Sequence, residues 1–195
     1  MKPFLRSTDV IDWDHPAVLA RAGALREGAP GPVAVAQRCF EWVRDEIKHS
    51  RDYGLLPVTC SASEVLCKSS GYCYAKSHLL AALLRANDLP TGFCYQRLSR
   101  DDNGTPYTLH GLNAVFLPNL GWYRIDPRGN RAGIDAQFVP PVEQLAFPAL
   151  QPGEADLPEI WADPLPGVVE ALRTYTTADQ LWEHLPDVPL WTRRV

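Results

Sequence analysis

Three residues that lie far apart in the chain have the types needed for acyl transfer: Cys73, His110 and Asp126. A cysteine thiolate can attack an acyl carbon, an imidazole within hydrogen-bond reach can take up and return a proton, and a carboxylate can orient that imidazole. We therefore predict that these three side chains meet. Taken alone, each residue has a simpler interpretation: a buried inert thiol, a structural histidine and an aspartate that begins a turn.

The surroundings of Cys73 favour a reactive thiol. Strong helix formers follow it, so the cysteine is expected in the first turn of a helix. There, unpaired backbone N–H groups and the positive end of the helix dipole stabilise a thiolate. Gly71 permits a close approach of the preceding loop, and the N–H of Cys73 is placed to donate to an oxyanion on the acyl carbon.

Strand geometry decides whether the histidine and the aspartate can meet. His110 lies on a predicted strand, residues 107–117, and Asp126 ends the next one, residues 121–126. A connecting loop with an odd number of residues, such as 118–120, places both side chains on one face of the sheet as diagonal neighbours, roughly 7–8 Å apart at the backbone. A loop with an even number of residues would place them on opposite faces.

The hydrophobic pattern predicts four helices followed by an antiparallel meander of three strands, which is an α+β arrangement. Ser61 begins an S-x-x-E capping box ahead of the third helix. The helices are predicted at residues 16 to about 28, 32 to about 49, 62–67 and 73 to about 86, and the strands at 92–98, 107–117 and 121–126.

Three motifs in this order resemble the transglutaminase-like superfamily of papain-like cysteine enzymes. They are Gly71-Tyr72-Cys73 on a leucine-rich helix that ends LLRANDLPTGF, Leu109-His110-Gly111, and GWYRIDP from Gly121 to Pro127. The resemblance covers about residues 33–130. It implies a papain-like fold in which Cys73 is the nucleophile, His110 the general acid and base, and Asp126 its orienting partner. It also implies acyl transfer from amides by transglutamination, deamidation, peptide hydrolysis or a related amidase reaction, through a thioester.

One position departs from the family pattern. An aromatic residue commonly follows the histidine, whereas this chain has Gly111, which predicts a wider site on that side. Gly71, Tyr72 and Gly111 are the candidates for the oxyanion site and the cleft. The calcium sites and accessory β-domains of animal transglutaminases have no room in 195 residues, so protein cross-linking is not expected.

Composition indicates one globular domain, with 46% apolar and 22% charged residues. The formal net charge of −4 and the absence of a charge run argue against nucleic acid or an anionic membrane as partner. A peptide or small amide substrate is expected instead. Five cysteines without zinc-type spacing predict free thiols and no metal, and no cofactor is expected. The lack of a long apolar stretch predicts a cytoplasmic protein.

The core is predicted at about residues 15–136, with a proline-rich tail at 137–195 that has a short helix at 168–175. Nine of the 18 prolines fall after residue 139. The tail carries too much apolar surface to remain unpacked. We expect it to wrap across the helices and form one wall of the cleft; a homodimer contact through the end of the tail, from Trp182 to Trp191, is the alternative.

Two other functions fit parts of this pattern. Arylamine N-acetyltransferases have a cysteine, a histidine and an aspartate in the same order, although their chains are longer. A module that keeps the fold and binds a partner without turnover is the second alternative, and the complete set of three residues argues against it.

Overall fold

The computed structural model describes residues 1–101 and 104–190. A 3₁₀ turn, Lys2–Leu5, precedes the first α-helix. The helices are α1 (Pro16–Arg26), α2 (Pro32–Glu46), α3 (Ala62–Lys68), α4 (Cys73–Arg85), α5 (Pro166–Thr174) and α6 (Ala178–Glu183). The strands are β1 (Lys48–His49), β2 (Ser70–Gly71), β3 (Thr91–Ser99), β4 (Tyr107–Leu117), β5 (Gly121–Ile125), β6 (Gln137–Val139), β7 (Val142–Gln144) and β8 (Ala155–Asp156).

Helix α4 is the centre of the molecule. All of its 13 residues are buried, because α2 and α3 pack on one side and the sheet packs on the other. Its last residue, Arg85, is buried as well and donates to the carbonyls of Thr91, Arg6 and Ala162. These bonds hold the N-terminal segment, the start of β3 and the tail to one helix end.

The main sheet has the order β5-β4-β3-β8 and is antiparallel throughout. The predicted meander of three strands is confirmed, and β8 adds a fourth strand that the sequence did not reveal. The loop between β4 and β5 has three residues, since Leu117 pairs with Gly121. Asn119 in that loop has a positive φ of 64°, which asparagine tolerates in a tight turn.

The second helix was predicted to run to about His49, and that boundary is wrong. Helix α2 ends at Glu46, and Ile47 turns into extended backbone. Strand β1 then pairs in parallel with β2, with His49 opposite Gly71. The N–H of Ser50 donates to the carbonyl of Gly71. Hydrogen bonds to the loop before Cys73 therefore replace the hydrogen bonds that a longer helix would make.

The tail packs on the folded core over its described length. Trp161 forms a bridge with Phe93, and Pro186 accepts a hydrogen bond from the N–H of Leu109. The prediction of one short helix was incomplete, because α6 follows α5 and is capped by Thr177. Trp191 lies outside the described residues, and the homodimer contact stays a prediction. Within residues 1–101 and 104–190, every helix falls short of the length and apolar character that crossing a bilayer requires.

The contact between β3 and the tail predicts the effect of a methyl group at Gly92. A Cβ there would lie 2.9 Å from the carbonyl oxygen of Trp161 and would also overlap Ile160. We expect Gly92→Ala to lower the free energy of unfolding by roughly 1–3 kcal/mol, the usual range for overpacking. Urea unfolding measures it.

Gly167→Ala is the matched control. Gly167 is in the first turn of α5 and has no described atom within 4 Å of the added Cβ, so alanine should be neutral or slightly stabilising there. Equal unfolding midpoints for the two variants would show that the tail does not press on β3 at Gly92.

Candidate active site

Cys73 is the first residue of α4 and is 4% exposed. It lines a cavity of about 410 Å³ together with His110. Tyr72, the N-cap residue, also lines this cavity, and no side chain in the described part of the protein caps the helix. The free N–H groups at the start of α4 therefore remain available beside the thiol.

The loop that carries Cys73 is held by tight packing. Thr59 donates its hydroxyl to the carbonyl of Ser70, and β2 pairs with β1. A Cβ at Gly71 would lie 3.1 Å from the Cβ of Ala75. Gly71 thus serves the close approach of loop and helix, but it is not among the residues that line the cavity.

His110 and Asp126 meet as their strand register predicts. Ile125 pairs with Asn113, so Asp126 continues β5 opposite Leu112, two residues from His110. The Nε2 atom of His110 lies 2.7 Å from Oδ2 of Asp126. Asp126 is fully buried and also accepts the backbone N–H groups of Arg128 and Ala146, each at 3.1 Å.

These contacts determine the charge state of the imidazole. Burial lowers the pKa of His110, but the negative charge of Asp126 and its hydrogen bond outweigh burial and raise the pKa to about 10. The nearby side chain of Cys73 raises the pKa further. Since Nε2 faces Asp126, Nδ1 is the ring nitrogen left for the thiol. The structure therefore brings Cys73, His110 and Asp126 together.

The pKa of Asp126 is shifted in the opposite direction to that of His110. Burial raises its pKa, but the charge of His110 and the hydrogen bonds it accepts outweigh burial and hold the pKa below the usual range. The pair is arranged to carry one positive and one negative charge at neutral pH.

Phe147, a tail residue that the sequence analysis did not assign to the site, packs on the histidine. Its ring lies edge-on to that of His110, with 5.0 Å between centroids and an interplanar angle of 90°. Gln96 on β3 donates to the carbonyl of Phe147 at 3.0 Å. The imidazole is thus fixed by a carboxylate at one nitrogen and by an aromatic ring beside its plane.

The expectation of a wider site at Gly111 is wrong. The ring of Tyr74 fills that space, and a Cβ at position 111 would lie 2.7 Å from its Cδ1. The hydroxyl of Tyr74 donates to the carbonyl of Leu109, which holds the ring in place. Glycine here accommodates an aromatic ring supplied by α4, so Gly111 does not line the cavity.

The cavity wall next to Cys73 contains charged residues that sequence reasoning missed. Arg128 donates to both carboxylate oxygens of Asp52, at 2.5 and 3.0 Å. His49 is 6% exposed and packs on Tyr72 with 4.8 Å between ring centroids. Burial and the charge of Arg128 hold the pKa of His49 well below its usual range. His49 is brought next to the loop before Cys73 by the pairing of β1 with β2, and nothing in the sequence indicates this pairing.

Lys76 lies under the site, one turn after Cys73. It is fully buried, and its ammonium donates to the carbonyls of Arg44 and Ile47 at the end of α2. Burial and the nearby charge of Arg128 lower its pKa to about 7. Lys76 therefore joins the first turn of α4, which carries Cys73, to the end of α2.

The family model of the transglutaminase-like superfamily matches residues 20–127. This match spans more than half of the chain and includes all three predicted residues. The chain belongs to the transglutaminase-like superfamily. No curated protein matches it.

One solved structure shows the same fold, and a second aligns less well. A presumed cysteine protease from Cytophaga hutchinsonii aligns with a TM-score of 0.53 at 16% identity, over 65% of this chain and 41% of that one. The periplasmic domain of TgpA from Pseudomonas aeruginosa aligns with a TM-score of 0.46 at 23% identity, over 64% of this chain and 45% of that one. The present chain spans less than half the length of either structure. The predicted α+β, papain-like fold is confirmed by the family and the first of these structures.

The raised pKa of His110 predicts how stability varies with pH. Imidazolium is favoured in the folded state, so its contribution is complete below an unfolded pKa of about 6.5 and is lost as the pH rises toward about 10. In a Cys73→Ala background, which leaves His110 and Asp126 without the thiol, the free energy of unfolding should fall by roughly 1–3 kcal/mol between pH 6.5 and 9.5.

Adding His110→Asn should flatten this decline, as measured by urea unfolding at each pH. The Asp126 contribution has the opposite sign: it is present above a pH of about 4 and is lost in acid, because the folded pKa is lowered. Identical alkaline slopes with and without His110 would contradict a charged His110–Asp126 pair.

Proposed function

We propose that the protein catalyses acyl transfer from amide bonds, with Cys73 as nucleophile, His110 as general acid and base, and Asp126 as its orienting partner. The observation that carries the proposal is the 2.7 Å His110–Asp126 hydrogen bond beside a thiol at an uncapped helix start. The substrate in this proposal is a peptide or another small amide that fits the cavity of about 410 Å³.

The first half-reaction forms a thioester. The Cys73 thiolate attacks the carbonyl carbon, a C–S bond forms, and the carbonyl electron pair moves to oxygen. The N–H of Cys73 is placed to donate to this oxyanion. The C–N bond then breaks as His110 delivers its proton to the departing nitrogen, which leaves as an amine or as ammonia.

The second half-reaction releases the acyl group. Water or an amine attacks the thioester carbon, neutral His110 takes the proton from the attacking atom, and the C–S bond breaks to restore the thiolate and imidazolium. Asp126 keeps Nε2 protonated through both halves, so Nδ1 stays directed at the reacting atoms. Hydrolysis and transamidation share every protein group in this scheme and differ only in the acceptor.

The other thiols provide an internal test. Burial raises the pKa of Cys39 and Cys94 to about 12 and that of Cys60 to about 11, so these thiols stay protonated at neutral pH. Cys67 is exposed and serves as the reference thiol. We expect iodoacetamide at pH 7 to alkylate Cys73 at least about tenfold faster than Cys67, since alkylation requires the thiolate. Peptide mass spectrometry after timed quenching measures both rates.

His110→Asn should remove this advantage, because the thiolate loses its imidazolium partner. His15→Asn is the matched control, since His15 caps α1 outside the cavity and asparagine also caps helices. If Cys73 reacts no faster than Cys67 in the native protein, the fold carries a binding module rather than an activated nucleophile.

A panel of peptide amides tests turnover. Cys73→Ala should lower amine or ammonia release by at least about 10³-fold. Cys73→Ser should do nearly the same, because a hydroxyl ionises far less readily than a thiol. Asp126→Asn should weaken rather than abolish turnover, since an amide can still orient the imidazole. Circular dichroism checks that each variant folds, and equal losses accompanied by unfolding would mean that the residues are structural.

A further inference from the structure

One wall of the cavity carries positive charge beside the thiol. His49 ends β1 and is uncharged at neutral pH because its pKa is lowered, Arg51 follows it, and Arg128 and Arg131 follow Asp126. We call these four residues the basic face. All four line the same cavity as Cys73 and His110, although the chain as a whole has a net charge of −4.

The carboxylates around the basic face leave part of this charge uncompensated. Arg128 and Arg131 share one carboxylate, Asp52, with Arg131 at 3.7 Å. The guanidinium of Arg51 stacks 3.3 Å above the ring of Trp182. Among the described residues, no carboxylate lies within 4 Å of Arg51. Three arginines against one aspartate give an excess of about two positive charges.

The opposite wall does not neutralise this excess. Of the side chains described around the cavity, Glu154 is the one carboxylate, and it already accepts the backbone N–H groups of Ser99, Leu150 and Gln151. Arg100, on the same side, lies 3.6 Å from Glu183. Glu154 keeps its negative charge, so the side chains that line the cavity comprise four arginines against one carboxylate.

One buried polar atom of the basic face lacks a hydrogen-bond partner among the described residues. The Nδ1 atom of His49 is buried without a hydrogen-bond partner in the described structure, and Asp52 is 3.7 Å away, beyond bonding distance. Buried polar atoms in native proteins nearly always have a partner. The exposed Arg51 and Arg131 are the groups of the basic face that an anion in the cavity can contact directly.

We infer that the basic face binds a carboxylate carried by the substrate next to the amide that reacts. This deepens the proposed function, on which it rests, by naming the substrate class: acidic amides, such as peptides with a glutamate or aspartate side chain or a free C-terminal carboxylate near the scissile bond. The planar guanidinium group matches a carboxylate in shape and charge, and carboxylates are the anions that peptides carry.

Two alkylating reagents of nearly equal size test this inference without any substrate. Iodoacetate carries a carboxylate, and iodoacetamide carries a neutral amide in its place. The measured quantity is the ratio of the iodoacetate rate to the iodoacetamide rate at Cys73, compared with the same ratio at exposed Cys67. We expect the ratio at Cys73 to be at least about threefold larger, since two excess charges act at short range.

Charge variants separate the basic face from the imidazolium of His110, which also attracts anions. Arg51→Gln and Arg131→Gln should each lower the ratio at Cys73 by about two- to threefold, and the double variant should lower it further. Both side chains are exposed enough for these variants to fold. Arg21→Gln is the matched control, because Arg21 stacks on Trp42 as Arg51 stacks on Trp182, but outside the cavity.

The outcomes distinguish this inference from the proposed function. If neither reagent prefers Cys73 over Cys67, the activated thiol is absent and the proposed function fails. If both reagents react rapidly at Cys73 but the ratio is unchanged by Arg51→Gln and Arg131→Gln, the nucleophile stands and the carboxylate site is overturned. A ratio that falls in these variants and not in Arg21→Gln supports the site.

Protection of Cys73 from iodoacetamide identifies the source of the carboxylate. N-acetyl-alanyl-alanine offers a terminal carboxylate, the α-amide of N-acetylglutamate offers a side-chain carboxylate, and the α-amide of N-acetylglutamine is the neutral counterpart. Protection by either acid, but not by the neutral compound, supports the inference and names the source. Equal protection by all three, or by none at millimolar concentration, contradicts it.

Discussion

The buried carboxylate of Asp126 is the constraint that organises this site. An ionised group without exposure needs several partners to offset its desolvation. Asp126 obtains them from His110 and from the N–H groups of Arg128 and Ala146. Those partners come from β4, from the turn after β5 and from the tail. Stabilisation of the buried Asp126 charge therefore requires both the register of the sheet and the path of the tail.

The thiol side of the site depends on a different set of contacts. Strand pairing between β1 and β2 sets the loop before α4, and Lys76 ties the first turn of that helix to the end of α2. Helix and sheet then approach so closely at Gly111 that the ring of Tyr74 fits only because no side chain is present. Helix α4 thus positions the sulfur, and the sheet positions the imidazole. The close packing between helix and sheet restricts their relative movement.

Much of this arrangement could be predicted from sequence, because it follows local rules. A three-residue loop fixed the register of β4 and β5, and the run of helix formers after Cys73 marked α4. The two-residue strands β1 and β8 are too short to show a period, so neither was predicted. The roles of Tyr74, Phe147 and the arginines depend on contacts between distant segments, which spacing along the chain does not reveal.

The dependence of Asp126 on the N–H of Ala146, and of the cavity wall on Trp182, has a consequence during synthesis. Cys73, His110 and Asp126 precede Ala146 and Trp182 in the chain, so they leave the ribosome first. A nascent chain therefore carries all three residues without the partners that hold the imidazole in place. The contacts that hold the imidazole and complete the cavity wall therefore form only after the segment up to Trp182 has been synthesised.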